Sequence, residues 1–124
     1  EMGTKLENSR GKNLYEFWGD NITNLLNDDI LNKDDYVINL ASEEYFRSIN
    51  INKLKSEVIT PIFKEFKNGT YKTIAIYAKK ARGLMSRFII NNKIQDPEIL
   101  KNFNSEGYSF ESRLSDQYNY IFTR

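Results

Sequence analysis

The sequence predicts an α+β fold, in which a mixed or antiparallel sheet carries a β-hairpin that feeds a basic amphipathic helix, with two or three further helices. Three observations predict this class. Asn68-Gly69 separates two β-rich runs, and this pair favours the positive φ angles of a tight hairpin turn. Apolar residues recur at helical spacing over residues 78–90. Aromatic residues alternate over residues 118–122, as they do in a strand.

The first element is a helix predicted from Leu14 to Leu31, since apolar side chains recur there at spacings of three and four residues. Asn13 and Glu16 match a helix cap with a returning carboxylate. The apolar stripe consists of Leu14, Phe17, Trp18, Ile22, Leu25, Leu26 and Ile30. We expect Phe17 and Trp18 to lie in the core.

A short strand and a short helix follow. The apolar run from Tyr36 to Leu40 is typical of a strand, and Ser42 is a suitable N-cap for a brief helix through Ile49. The turn between a strand and a helix is a common position for binding groups. Asn39, Ser42, Glu44 and Tyr45 are therefore candidate ligand-binding residues.

The predicted hairpin consists of Val58 to Phe66 and Tyr71 to Tyr77. Pro61 lacks a backbone N–H, so the first strand should be an edge strand or bulged at that point. Asp96-Pro97-Glu98 then predicts a helix start with a cap and a proline in the first turn, and that helix should end near Asn104. One or two strands complete the chain.

Charge is strongly segregated. Seven basic and no acidic residues lie between Glu65 and Asp96, although the whole chain has 18 basic and 17 acidic residues. On a helix the segment Ala78 to Ile90 separates into two faces. The polar face carries Lys79, Lys80, Arg82, Gly83, Ser86 and Arg87. The other face carries Ala81, Leu84, Met85, Phe88 and Ile89.

A basic helix face is often simply solvated. Such a face usually mixes acids with its lysines at a spacing of four residues, because these pairs stabilise the helix. The segment contains no acid to pair with. We therefore expect an anionic partner, and phosphate is the natural candidate because guanidinium groups bind its oxygens bidentately. Gly83 would let a backbone approach closely.

Composition excludes several kinds of site. The chain has 124 residues with no cysteine and no histidine, which excludes disulfides, Cys/His metal sites and catalysis by either side chain. No metal site and no cofactor are predicted, and no catalytic residue is assigned. No apolar run is long enough for a membrane span and no signal peptide is recognisable. We expect a cytoplasmic protein that does not contact membranes.

Several motifs closely resemble the YaaA family of bacterial peroxide-stress proteins, in the family's order along the chain. They are Glu1-Met2-Gly3, Leu6-Glu7-Asn8, Arg10-Gly11-Lys12, Phe17-Trp18-Gly19-Asp20, Asn39-Leu40-Ala41-Ser42, Glu44-Tyr45-Phe46, the segment from Ala78 to Phe88, and Phe103-Asn104-Ser105-Glu106-Gly107-Tyr108. Members of this family are about twice as long. Residues 1–124 would therefore form the C-terminal part of a larger single domain, with the N-terminal half as its partner.

This resemblance implies a cytoplasmic protein that protects against hydrogen peroxide and is linked to limiting free intracellular iron. It also implies binding of duplex or branched DNA through a helix-hairpin-helix-like element, and the basic helix is the segment that matches that element. One hypothesis is thus a DNA-binding stress protein that contacts phosphates without reading sequence. The alternative is a nucleotide- or base-processing enzyme that holds phosphate on the same basic face, with Asn39, Ser42, Glu44 and Tyr45 around the reacting group.

Overall fold

The computed structural model describes residues 19–30 and 35–124. The chain divides into two compact units. In its described part, the first unit contains helix α1 (Asn21–Asp29), helix α2 (Glu43–Phe46) and a 3-10 helix (Ile51–Lys53). No helix in the described ranges combines the length and apolarity that a membrane crossing requires.

The second unit is built on a five-stranded mixed sheet, which confirms the predicted α+β class. Its strands are β1 (Tyr36–Ile38), β2 (Glu57–Lys67), β3 (Thr70–Lys72), β4 (Ser109–Phe110) and β5 (Asn119–Thr123). The strand order is β1-β2-β5-β4, and β3 pairs with β2 as the hairpin. The sheet is mixed because β2 and β5 are parallel, whereas β2 with β3 and β4 with β5 are antiparallel.

Helix α3 (Ala75–Asn91) and two 3-10 helices (Pro97–Asn102 and Ser105–Gly107) complete the second unit. Alternate residues of β2 are buried, as expected of a strand with one face on the core. Phe63 stacks on Phe122 of β5 with ring centroids 5.3 Å apart. Ala81 and Met85 of α3 belong to the same core cluster, so the helix is fixed by its apolar face.

The structure corrects the predicted first helix. Helix α1 begins at Asn21 rather than Leu14, after Gly19 has taken a positive φ of 52° that a continuous helix does not allow. It ends at Asp29. Leu25 is 61% exposed and lies opposite the buried Thr23, whose hydroxyl accepts a hydrogen bond from the Asn50 N–H at 2.8 Å. The predictions for Asn13 to Trp18 and for Leu31 lie outside the described residues.

The hairpin is confirmed, with a shorter second strand than predicted. Asn68 and Gly69 form the turn with φ angles of 52° and 79°. The strand after it ends at Lys72, because helix α3 begins at Ala75 and the Ala78 N–H donates to the carbonyl of its N-cap residue Ile74 at 2.9 Å. Local strand propensity is overridden here by the helix that packs on the sheet.

Pro61 is a buried residue of an interior strand, so the prediction of an edge strand is wrong. The N–H groups of Thr60 and Phe66 donate to β5, which places the Pro61 nitrogen on the opposite side of β2. On that side Ile59 accepts from Asn39, and pairing with β3 begins at Glu65. The parallel pairing with β5 therefore loses no donor at Pro61.

The remaining predicted elements are present, with small differences in extent. Asp96 caps the helix at Pro97 by accepting from the Glu98 N–H at 3.0 Å, although the helix is of the 3-10 type and ends at Asn102. Helix α2 ends at Phe46, three residues before the predicted Ile49. Both predicted C-terminal strands are present as β4 and β5.

Candidate nucleic-acid interface

Helix α3 presents its basic face away from the core. Ala78, Ala81 and Met85 are buried, and the last two belong to the core cluster that contains the strand residues. The opposite side of the helix is therefore turned outward. Four of the six predicted phosphate-binding residues are exposed, namely Lys79, Lys80, Gly83 and Arg87, and the other two, Arg82 and Ser86, are half-buried. One helix thus carries all six, with the four cations on its accessible sides.

Gly83 lies in the middle of this face. A Cβ atom placed there would meet nothing within 4 Å, so the glycine is not needed for packing inside the described chain. Glycine in a helix interior destabilises it relative to alanine. The open space above Gly83 is a surface that a phosphate backbone can approach closely.

Two isoleucines share the exposed side of α3. Ile76 and Ile90 are 73% and 69% exposed. The helix continues through Ile90 and is capped at Asn92, whose side chain donates to the Phe88 carbonyl at 2.9 Å. The face is therefore basic and partly apolar along its whole length.

The basic face has one acidic neighbour that the sequence did not suggest. Glu106, from the 3-10 helix Ser105–Gly107, places Oε1 3.4 Å from Nζ of Lys80. Lys80 is therefore paired with an acid from outside the acid-free segment. Lys79, Arg82 and Arg87 make no ion pair within residues 19–30 and 35–124.

A buried ionic group lies beneath the start of α3. Glu65 of β2 is 6% exposed. It accepts hydrogen bonds from the Tyr108 hydroxyl at 2.6 Å and from Nε of Arg124 at 2.5 Å. Nη1 of Arg124 also donates to the Glu106 carbonyl at 2.8 Å. The guanidinium lies over the Tyr108 ring, 4.4 Å from its centroid, and 5.2 Å from that of Tyr77.

These contacts set the ionisation of the group. Burial opposes the charge on Glu65, but hydrogen bonds from Tyr108 and Arg124 outweigh it, so the pKa of Glu65 lies below its ordinary value. Burial and the hydrogen bond to Glu65 raise the pKa of Tyr108 well above its ordinary value. The hydrogen bond to Glu65 likewise raises the pKa of Arg124. At neutral pH the group is an ion pair with a neutral tyrosine.

Sequence reasoning missed this group, although one signal was available. Glu65 stands in register with Ile59, Pro61 and Phe63, the alternate residues of β2 that face the core. An acid at a core-facing position of a strand requires a cationic or hydrogen-bonding partner. The partner, Arg124, is 59 residues away along the chain, so only the sheet topology identifies it.

The other four candidate residues have structural contacts. The buried Asn39 donates its backbone N–H to the Ile59 carbonyl at 2.8 Å and its side-chain amide to Thr60 Oγ1 at 3.4 Å. Ser42 caps α2, as predicted, by accepting from the Tyr45 N–H at 3.4 Å. Tyr45 is 60% exposed, and Glu44 is half-buried. Asn39 belongs to the second unit and the other three to the first.

An open pocket in the first unit is lined by Gly19 and residues 47–52. It contains none of Ser42, Glu44 and Tyr45. Residues 19–30 and 35–124 contain no group of three or more acidic side chains that could hold a metal ion.

Comparison with known proteins assigns the chain to a family. A UPF0246 protein of Neisseria gonorrhoeae strain NCCP11945 and one of Neisseria meningitidis serogroup A are each 57% identical over 125 residues, which cover 100% of this chain and 48% of theirs. The chain thus spans about half the length of the curated relatives it matches, which fits the predicted half-length segment. The family model described as peroxide stress protein YaaA matches residues 1–114. The chain therefore belongs to the peroxide stress protein YaaA family, a family of the oxidative stress response.

Proposed function

We propose that this chain is a DNA-binding part of a peroxide stress protein, and that it binds duplex or branched DNA through phosphates without reading sequence. The observation that supports this most is the outward face of α3. It carries Lys79, Arg82 and Arg87 without an ion pair in the described part of the chain, beside the open surface at Gly83. Phosphate contacts of this kind position a protein on DNA and do not distinguish bases.

The cations set the expected salt dependence. Each phosphate neutralised releases counterions and contributes about −0.9 to the slope of log K against log salt. Three free cations give about −2.7, and Lys80 would bring this to about −3.6 if it were released from Glu106. Binding by this face alone would be weak at physiological salt, so we infer that the remaining half of the protein supplies further contacts.

The proposal includes a cytoplasmic role in protection against hydrogen peroxide and an indirect link to limiting free iron. Both come from the family resemblance, and neither adds a metal or a cofactor to the DNA contact. In the nucleotide-processing alternative, Asn39 and Ser42 would have to bind a ligand in addition to the structural hydrogen bonds that they make with Thr60 and with the Tyr45 N–H.

The test is the salt dependence of duplex binding by the full-length protein and a double variant, Lys79→Ala with Arg87→Ala. The double variant should bind unrelated sequences equally weakly, with a slope reduced by about 1.8. Lys64→Ala is the matched control, since Lys64 alternates with the core residue Phe63 and points away from α3. A slope that is unchanged in the double variant would remove α3 from the interface.

A further inference from the structure

Glu106 is brought to the basic face by the fold alone. It lies outside the acid-free segment, and its carboxylate is 3.4 Å from the Lys80 ammonium. Both side chains are largely accessible, at 66% for Lys80 and 47% for Glu106. An ion pair that is this exposed contributes little to stability. A contribution to the stability of the fold therefore does not explain why Glu106 lies on this surface.

The backbone at Glu106 is held in place independently of Lys80. Its φ is +57°, a value that residues with a side chain seldom adopt. Its carbonyl accepts from Nη1 of Arg124, which is itself fixed by the buried Glu65. Gly107, with a φ of +82°, completes the turn. The carboxylate is thus presented to α3 by a clamped turn, and breaking the surface pair would not release it.

A carboxylate beside Lys80 stands where a phosphate oxygen would bind. A phosphate that binds Lys80 competes with this carboxylate for the ammonium, and the negative charge of the carboxylate repels the DNA backbone nearby. We propose that Glu106 is an internal competitor for phosphate at Lys80, and that it limits the affinity of the α3 face for DNA. This inference rests on the proposed function and adds to it a residue that sets the strength of binding.

The test compares two charge-neutralising variants of the full-length protein, Glu106→Gln and Glu98→Gln. Each removes one acid that pairs with a lysine, because Glu98, which is 65% exposed, pairs with Lys101 at 2.6 Å. Glu106→Gln should bind duplex DNA about 8-fold more tightly in 0.1 M salt, with a slope steeper by about 0.9, as expected for one additional phosphate contact. Glu98→Gln should match the wild type. Unchanged thermal unfolding would show that the clamped turn is intact in Glu106→Gln.

The outcomes separate this inference from the proposed function. An increase in DNA affinity in Glu106→Gln but not in Glu98→Gln supports the inference about Glu106. The same holds if Glu106→Gln is the one protein that binds. Equal gains in both variants would trace the effect to net charge and overturn it. Wild-type binding with no change in Glu106→Gln would overturn it and leave the proposed function standing. Absence of binding by the wild type and by Glu106→Gln would overturn both.

Discussion

Glu65→Gln is the substitution that should destabilise the second unit through its buried ion pair. Glutamine has nearly the same shape, and its oxygen can still accept from the Tyr108 hydroxyl, now at 2.6 Å from the carboxylate. In that orientation its amide nitrogen faces Nε of Arg124, which is also a donor. In the flipped orientation its oxygen accepts from Arg124, and the Tyr108 hydroxyl must accept from the amide instead of donating. In both orientations the negative charge opposite the Arg124 guanidinium is lost.

The expected loss follows from these contacts. A hydrogen bond to a charged group contributes about 1.5–3 kcal/mol, and breaking a fully buried pair costs about 3–5 kcal/mol. The Arg124 side chain is 28% exposed, so water recovers part of the cost. We expect a loss of about 2–3 kcal/mol for Glu65→Gln. Tyr108→Phe keeps the ring contact with Phe63 and should lose about 1–2 kcal/mol.

Urea unfolding of this chain at several pH values checks both the size and the origin of the effect. The folded pKa of Glu65 is lowered, so its ionisation stabilises the fold above its ordinary pKa, and this contribution is lost as pH falls through the folded pKa. The difference in the free energy of unfolding between wild type and Glu65→Gln should therefore be largest at pH 7 and decrease in acid. Glu98→Gln should leave the midpoint unchanged. A difference that persists undiminished in acid would refute the electrostatic origin.

Three further substitutions test the placement of α3. Gly83→Ala should stabilise the chain to urea by about 0.5–1 kcal/mol, because it raises helix propensity at a position where an added Cβ meets nothing within 4 Å. If the more stable variant binds DNA more weakly, a DNA backbone approaches the helix at this position. A loss of stability would contradict the open surface at Gly83. Met85→Ala should lose about 2–5 kcal/mol, since Met85 is fully buried. Ile90→Ala, at an exposed position of the same helix, should change stability by less than about 0.5 kcal/mol, and equal losses at both positions would mean that the helix faces are misplaced.

The elements that local chemistry specifies were predictable from the sequence. Asn68-Gly69 and Asp96-Pro97 carry their own turn and cap geometry, so the hairpin and the helix at Pro97 followed directly. The orientation of α3 followed from its apolar period. The sequence pattern did not distinguish a strand from a helix over residues 74–77. These residues alternate as in a strand, yet α3 begins at Ala75. Tertiary packing of the helix on the sheet determines which of the two forms, and the local sequence does not encode that packing.

The candidate site was predictable only in part, for a similar reason. The six residues on α3 share one helix, so their common surface followed from periodicity. Glu106 and Arg124 reach that region from other elements, and no spacing rule connects them with Lys80 or Glu65. The sequence therefore predicted the cations and missed the acid that restrains one of them. Only the strand order of the sheet brings these residues together.

The parallel pairing of β2 with β5 has a consequence for how the second unit folds. Residues in this pairing are far apart along the chain, as the separation of 59 residues between Glu65 and Arg124 illustrates. Closing so long a loop costs chain entropy before any contact compensates it, and folds dominated by such contacts form slowly. The hairpin and α3 consist of residues that are close in sequence and can form early. Their apolar faces lack the packing contact with Phe122 until β5 docks. Until β5 docks, the side of β2 that pairs with it has unpaired backbone N–H and C=O groups, to which other chains can bind.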